Sequence, residues 1–290
     1  MEIDKVDTGK FTGFEVTLKK PGIAWIEFNE PEKLNGMNAR KKRDLIETLV
    51  QAQMDDGVRV VCFIGQGRGF CAGDDLGAYT SGGGNGTGLV PDIHPGHDSP
   101  MGTYNGLKHI SQSLNQAIRK LDKITIAAIN GVAIQTGLSL ALACDFKIAA
   151  KQAKLGSATL RFGLLPDEGG QFLLLQHMGL TKTLDFVMRK KIVSADEALS
   201  LGLLNEVVPD EELRASVEAL AMEMAQGPQV SMRLLKQSVY QAANLTFEQA
   251  CEEIASKTAI SDHHPDANEG VASFREKRTP HFNEWLRKYE

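Results

Sequence analysis

The sequence predicts an α/β protein with a layered, mostly parallel sheet and a helical tail, on three observations. Val58–Ile64 (VRVVCFI) and Ile124–Ile129 (ITIAAI) are apolar runs of strand length with no polar face, as in parallel strands buried on both sides. Each runs into a glycine-bearing turn, and the units 58–76 and 124–145 share a strand–turn–helix layout, a strand–crossover–strand rhythm. After Gly227–Pro228, helical patterns fill the rest of the chain.

In order, Phe14–Leu18 and Gly22–Phe28 predict a hairpin joined at Lys19–Pro21, and NEPEKLNGMN is a polar loop before an amphipathic helix from Ala39 to about Met54. Thr80 to Tyr104, rich in Gly and Pro and without periodicity, predicts a mobile lid or substrate loop. A helix follows over Leu107–Leu121. The stretch Asn130–Asp145 (NGVAIQTGLSLALACD) reads as a small turn opening directly into a helix too apolar to face water. Beyond it come a strand at Phe146–Ala149, helices at Gly170–Met178, Thr181–Met188 and Ala195–Leu201, a short strand at Glu206–Val208, and helices at Glu211–Ala225, Gln229–Ala242 and Thr246–Ser261. Gly227–Pro228 divides a core, 1–226, from a helical region, 227–290.

The 290 residues suffice for one large domain, and a net charge of -5 without a basic cluster argues against a nucleic-acid partner. The N-terminus has no apolar signal core, no run is long enough to span a membrane, and RKYE is no targeting tripeptide, so a cytoplasmic protein without a membrane partner is expected. Cys62, Cys71, Cys144 and Cys251 read as buried thiols of a reducing compartment. His94 and His97 lie in a loop without a rigid frame, so no metal site is expected.

GRGFCAGDDL and NGVAIQTG both follow strands. Two such turns side by side bring backbone N–H groups to one point, reinforced by a helix dipole, where an acyl oxyanion or enolate is stabilised. Two glycine-rich turns of an ordinary α/β sheet give the same pattern without chemistry. GxxxxGK[ST] is absent, as is GxGxxG opening a helix.

Several stretches in order, GFCAGDDL, INGVAIQTGLSLALACD, FGLLPDEGG, SADEALSLGLLNEVV and EGVASFREKRTPHF, resemble the crotonase (enoyl-CoA hydratase/isomerase) superfamily from about Phe14 to Phe282. The resemblance implies a spiral of ββα units with a helical C-terminal oligomerisation region and a homotrimer or dimer of trimers. It implies an acyl-CoA substrate and no permanently bound cofactor, coenzyme A arriving as part of the thioester. By position, the N–H groups of Asp74 and Thr136 form the oxyanion hole. Ala72, with its neighbours Asp75 and Leu76, meets the adenine end of coenzyme A, and Lys33 and Leu34 lie along the ligand. Phe274 and Lys277, from this or a neighbouring subunit, cover the nucleotide.

The two glutamates with which hydratases of this family position and protonate water correspond to Ser139 and Thr159, whose hydroxyls cannot serve as carboxylate bases near neutral pH. Asp167, with Glu168 beside it, stands where some isomerases and a dehalogenase of the family carry a carboxylate, and the resemblance implies a proton shuttle between C2 and C4 of an enoyl thioester. Other readings make Asp167 a helix N-cap, Glu168 a first-turn charge and the Asp74 carboxylate a turn-stabilising group. Hydration, hydrolysis and a silent acyl-CoA-binding homologue are the alternatives.

Overall fold

The computed structural model describes residues 5–75 and 99–289. The amino-terminal hairpin forms from β2 (Phe14–Lys19) and β3 (Ile23–Phe28), antiparallel with Phe14 opposite Phe28, and β1 (Gly9–Phe11) adds an outer strand. From β3 onward the sheet is parallel, through β4 (Val60–Gly65), β6 (Ile124–Ile129), β8 (Phe146–Ala150) and β11 (Glu206–Val208), in the order β1-β2-β3-β4-β6-β8-β11. Alternate residues face opposite layers. Val61 and Phe63 enter one core with the helix α1 (Ala39–Met54), whereas Val60, Cys62 and Ile64 enter another with Val217, Ala221 and Ala225 of α8 (Leu213–Gln226). Burial on both faces explains why these strands read as continuous apolar runs.

A second sheet escapes the sequence reading. It contains β5 (Gly69–Cys71), β7 (Val132–Ile134), β9 (Lys154–Gly156) and β10 (Ile192–Ser194), ordered β10-β9-β7-β5. Its strands have three residues each, too short to show a period of two. The predicted passage from turn to helix after Ile129 is therefore corrected: β7 intervenes, and the helix α4 spans Thr136–Ala143, with every residue buried.

The expected loop at 80–104 also changes. Leu76 and most of that loop, including His94 and His97, lie outside the described residues, as does the lid reading. From Pro100 the chain is helical: α2 (Pro100–Gly106), a π turn at Leu107–Ser111 and α3 (Gln112–Lys120). Ser99 caps α2, its Oγ accepting from Gly102 N at 3.1 Å, and Pro100 occupies the first turn; this start signal overrides the Gly/Pro-rich composition before it. Cys62, Cys71 and Cys144 are buried as expected, but Cys251 is exposed.

The helices α5 (Gly170–Met178), α6 (Leu180–Met188) and α7 (Ala195–Ser200) precede β11 and α8. The break at Gly227–Pro228 falls between α8 and α9 (Gln229–Ala242), after which come α10 (Phe247–Asp262) and α11 (Pro265–Glu276). No helix among the described residues is long and apolar enough to cross a membrane.

Candidate active site

The neighbouring strands β4 and β6 run parallel with Val60 beside Ile124, so both end on the same edge of the large sheet. Asn130 ties those ends together: its Oδ1 accepts from Gly65 N at 3.1 Å and its Nδ2 donates to Gly67 O at 2.9 Å. The chain then continues from each end into the small sheet, where β5 and β7 again run parallel. Asp74 and Thr136 lie just past the ends of these two short strands. Met37 N donates to Gly73 O at 2.9 Å and Asp75 N donates to Met37 O at 2.8 Å, a single parallel bridge that turns the Asp74 N–H away from Met37. Thr136 opens α4, so its N–H has no acceptor within the helix and lies at the positive end of the helix dipole.

Gln135, just before that helix, has φ 51° and ψ -107°, a backbone region that favours glycine and costs a residue with a side chain about 1–3 kcal/mol. The side chain is wired on every polar atom that it offers. Its Nε2 donates to Glu168 Oε2 at 3.2 Å, and its Oε1 accepts from Ser157 Oγ at 3.1 Å and from Thr159 Oγ1 at 3.2 Å. Its backbone N–H donates to Gly156 O at 3.0 Å. These four bonds hold the unusual conformation.

Three carboxyl groups meet beside this turn. Thr136 Oγ1 is 2.7 Å from Asp74 Oδ1 and 2.6 Å from Glu168 Oε1, and Lys42 Nζ donates to Asp74 Oδ2 at 2.7 Å. The Lys42 side chain is 3% exposed and also donates to Ser111 Oγ, which the π turn presents, at 2.8 Å. Asp167 and Glu168 are set by α3: Gln112 Nε2 donates to Asp167 O at 2.9 Å, and Asn115 Nδ2, one turn on, donates to Glu168 O at 2.8 Å. Burial pushes both carboxyls above the ordinary carboxylate range, and the negative charge of Asp74 adds to the rise. Glu168 is 3% exposed, whereas Asp167 is half-buried. The arrangement can hold an oxyanion on backbone donors and move a proton on a carboxyl close by.

The family model for enoyl-CoA hydratase/isomerase matches residues 19–285. The chain belongs to that family. The 1,2-epoxyphenylacetyl-CoA isomerase of Escherichia coli (strain K12) is 33% identical over 269 residues, covering 93% of this chain and 98% of that protein. A 4-chlorobenzoyl coenzyme A dehalogenase of Arthrobacter sp is 27% identical, covering 88% of each chain. Among solved structures, an enoyl-CoA hydratase from Bacillus anthracis superposes with a TM-score of 0.84 at 26% identity over 93% of this chain and 98% of that one. A structure described as a putative enoyl-CoA hydratase from Streptomyces coelicolor A3(2) gives 0.85 at 27%, covering 96% of each.

In this enoyl-CoA hydratase/isomerase family member, Asp74, Thr136, Asp167, Glu168 and Thr159 come together around Gln135. Ser139 is buried one turn into α4, with its hydroxyl against Gly170, where an added β-carbon would lie 2.5 Å from Oγ. Asp167 does not cap α5, whose N-cap is Gly169, and Glu168 is no solvated first-turn charge. Ala72 N donates to Leu34 O at 3.0 Å, which joins two of the residues expected along the ligand. Lys33 and Lys277 are exposed, and Phe274 is 85% exposed on α11. Among the described residues, no three His, Cys, Asp or Glu side chains group as a metal site.

Sequence reasoning misses Lys42 and Gln135. Lys42 sits in the cationic start of α1, ARKKRD, which reads as a solvated face, yet Lys41, Lys42 and Arg43 are all buried. Gln135 lies inside the stretch INGVAIQTGLSLALACD, but nothing in the residue type announces its positive φ.

Proposed function

We propose that the protein is a CoA-thioester isomerase in which Asp167 shuttles a proton between two carbons of an enoyl group. The N–H groups of Asp74 and Thr136 hold the thioester oxygen as an enolate. One observation carries this reading: Asp167 brings a half-buried carboxyl with a raised pKa to this turn, while Ser139 and Thr159, which the resemblance matches to the glutamates of two-glutamate hydration, carry only hydroxyls. Glu168 is bonded to Thr136 and Gln135, and the more open Asp167 is the carboxyl that a substrate can meet. The relative named as an isomerase of an epoxyphenylacetyl-CoA and those named as dehalogenases of a chlorobenzoyl-CoA support chemistry at an activated acyl group.

In this reading Ala72, Asp75, Lys33 and Leu34 line the coenzyme A, and Phe274 and Lys277 of the region 227–290 cover it. A homotrimer or dimer of trimers fits the exposed Phe247, Val271 and Phe274 of that region.

The test is incubation with 3-enoyl-CoA and 2-enoyl-CoA in deuterated water, followed by mass spectrometry. Deuterium incorporation with a shifted double bond is expected. A mass gain of one water establishes hydration and overturns the proposal. Acyl-CoA affinity without turnover of either substrate overturns it in favour of a binding protein.

A further inference from the structure

A hydroxyl group carries one hydrogen. The Thr136 oxygen nevertheless lies at hydrogen-bond distance from two carboxyl oxygens, 2.7 Å from Asp74 Oδ1 and 2.6 Å from Glu168 Oε1. Two ionised carboxylates are acceptors only, and Thr136 can donate to one of them, so the other contact needs a hydrogen from the carboxyl group itself. Lys42 decides which acid keeps it. Its ammonium is 2.7 Å from Asp74 Oδ2, which fixes Asp74 as the ion, so the Thr136 hydrogen points to Asp74 and Glu168 donates to the Thr136 oxygen.

The groups around Glu168 agree. It faces Lys42 from α1, Asp74 from the turn after β5 and Asp167 from its own loop; Gln135 and Thr136 at the start of α4 and Asn115 of α3 are neutral. Burial, and after it the neighbouring Asp74 and Asp167, oppose a second negative charge; Lys42, the cation that favours one, is paired with Asp74.

We propose that Glu168 is the resident acid of the site, a positioning residue whose proton is held by the chain Glu168, Thr136, Asp74, Lys42 and traded with the adjacent Asp167. The holding of the proton follows from the four residues alone; the trade rests on the proposed role of Asp167. In the trade, the Asp167 carboxylate takes a proton from a substrate carbon, and the electron pair of the broken C–H bond passes into the thioester enolate. The Glu168 O–H then turns from Thr136 to Asp167, and the two carboxylic acids swap hydrogens, each giving one and accepting one, with no net charge moved. Water refreshes the Glu168 hydrogen through Thr136, Asp74 and the exchangeable ammonium of Lys42. The acid also keeps the charge beside the oxyanion hole low, since the Asp74 anion is matched by Lys42.

The first test needs no substrate. In the free protein labelled with ¹³C at glutamate carboxyls, one resonance is expected to stay in the acid form at neutral pH and to vanish in Glu168→Gln. In Asp74→Asn, the same resonance should ionise at a pH lower by roughly one to three units, because an anion is lost and Lys42 is freed toward Glu168. Carboxylate shifts for every glutamate at neutral pH would overturn the proposal, whether or not the protein is an isomerase. The second test uses 3-enoyl-CoA deuterated at C2, converted in ordinary water. Glu168→Gln should retain more of the label in the product than the wild type does, since the route for washing it out is cut. Equal retention removes Glu168 from the exchange and leaves the isomerase reading standing. Failure of both proteins to move the double bond sinks that reading and the trade with it, while the glutamate resonance still decides where the proton is held.

Discussion

The α-carbon of Gly137 lies so close to the carbonyl of Cys71 that a β-carbon at residue 137 would sit 2.0 Å from that oxygen. Cys71 ends β5 three residues before Asp74, and Gly137 follows Thr136 in α4, so this contact sets the spacing between the two backbone donors of the proposed oxyanion hole. Gly137→Ala should force the two elements apart, because the obstructing atoms are backbone and cannot swing away. Losing one well-placed donor typically costs about 10²–10³-fold in kcat, and a fall of that order is expected here. Steady-state kinetics alongside a melting curve separate this effect from unfolding; wild-type kcat in a folded Gly137→Ala protein would show that the contact does not set the site.

Asp167→Asn should lose about 10²–10⁴-fold in turnover, the usual contribution of a positioned acid or base, and keep its affinity for a CoA thioester. Burial holds this carboxyl above its ordinary value of 3.8. The ionised base is therefore titrated away at a higher pH than a free aspartate, and kcat/KM should fall as the pH drops through that raised value. An acid limb at or below the ordinary value would assign the titration to some other group.

The sequence reveals the large sheet because strands such as Ile124–Ile129 are buried along their whole length and carry no charged residue. The small sheet stays hidden because strands such as Gly69–Cys71 are held by register with distant partners and show no pattern of their own. The site divides in the same way. Asp74, Thr136, Asp167 and Glu168 are visible as motif positions. Lys42 is not, since burial of a lysine on α1 depends on Asp74, 32 residues away, and on Ser111, 69 residues away. The exclusion of Glu168 from water likewise arises only when α3 and α4 close over residues 167–168.

The Asp145 carboxylate fastens the helical tail to the core. Its Oδ2 accepts from Thr125 N at 2.7 Å, Thr125 Oγ1 at 2.9 Å and Lys236 Nζ at 2.8 Å, and its Oδ1 accepts from Tyr240 Oη at 2.7 Å. The Lys236 side chain is 5% exposed, so Asp145→Ala leaves a buried ammonium without its counterion, bonded still to Lys123 O at 2.8 Å. A loss of about 3–5 kcal/mol is expected in urea unfolding. Tyr240→Phe, which removes one bond to the same carboxylate, should cost only about 1 kcal/mol. Equal losses in the two variants would contradict a network centred on Asp145.

Lys123 tests the opposite sign. It is fully buried at the entrance to β6, its Nζ donates to Asp55 O at 3.1 Å, and burial together with the nearby Arg233 lowers its pKa from 10.5 to about 8. The unfolded chain takes up this proton as the pH falls through about 10.4, while the folded chain resists until about 8. Stability is therefore lost across that interval as the pH falls, and the full cost of a buried charge is present at pH 7. Lys123→Met removes the charge and one hydrogen bond. In urea unfolding, the variant should gain on the wild type by about 2–3 kcal/mol between pH 10.5 and pH 7, since each tenfold loss of proton affinity on folding is worth about 1.4 kcal/mol. A difference between the two proteins that stays flat with pH would show that the amine titrates normally in the folded state.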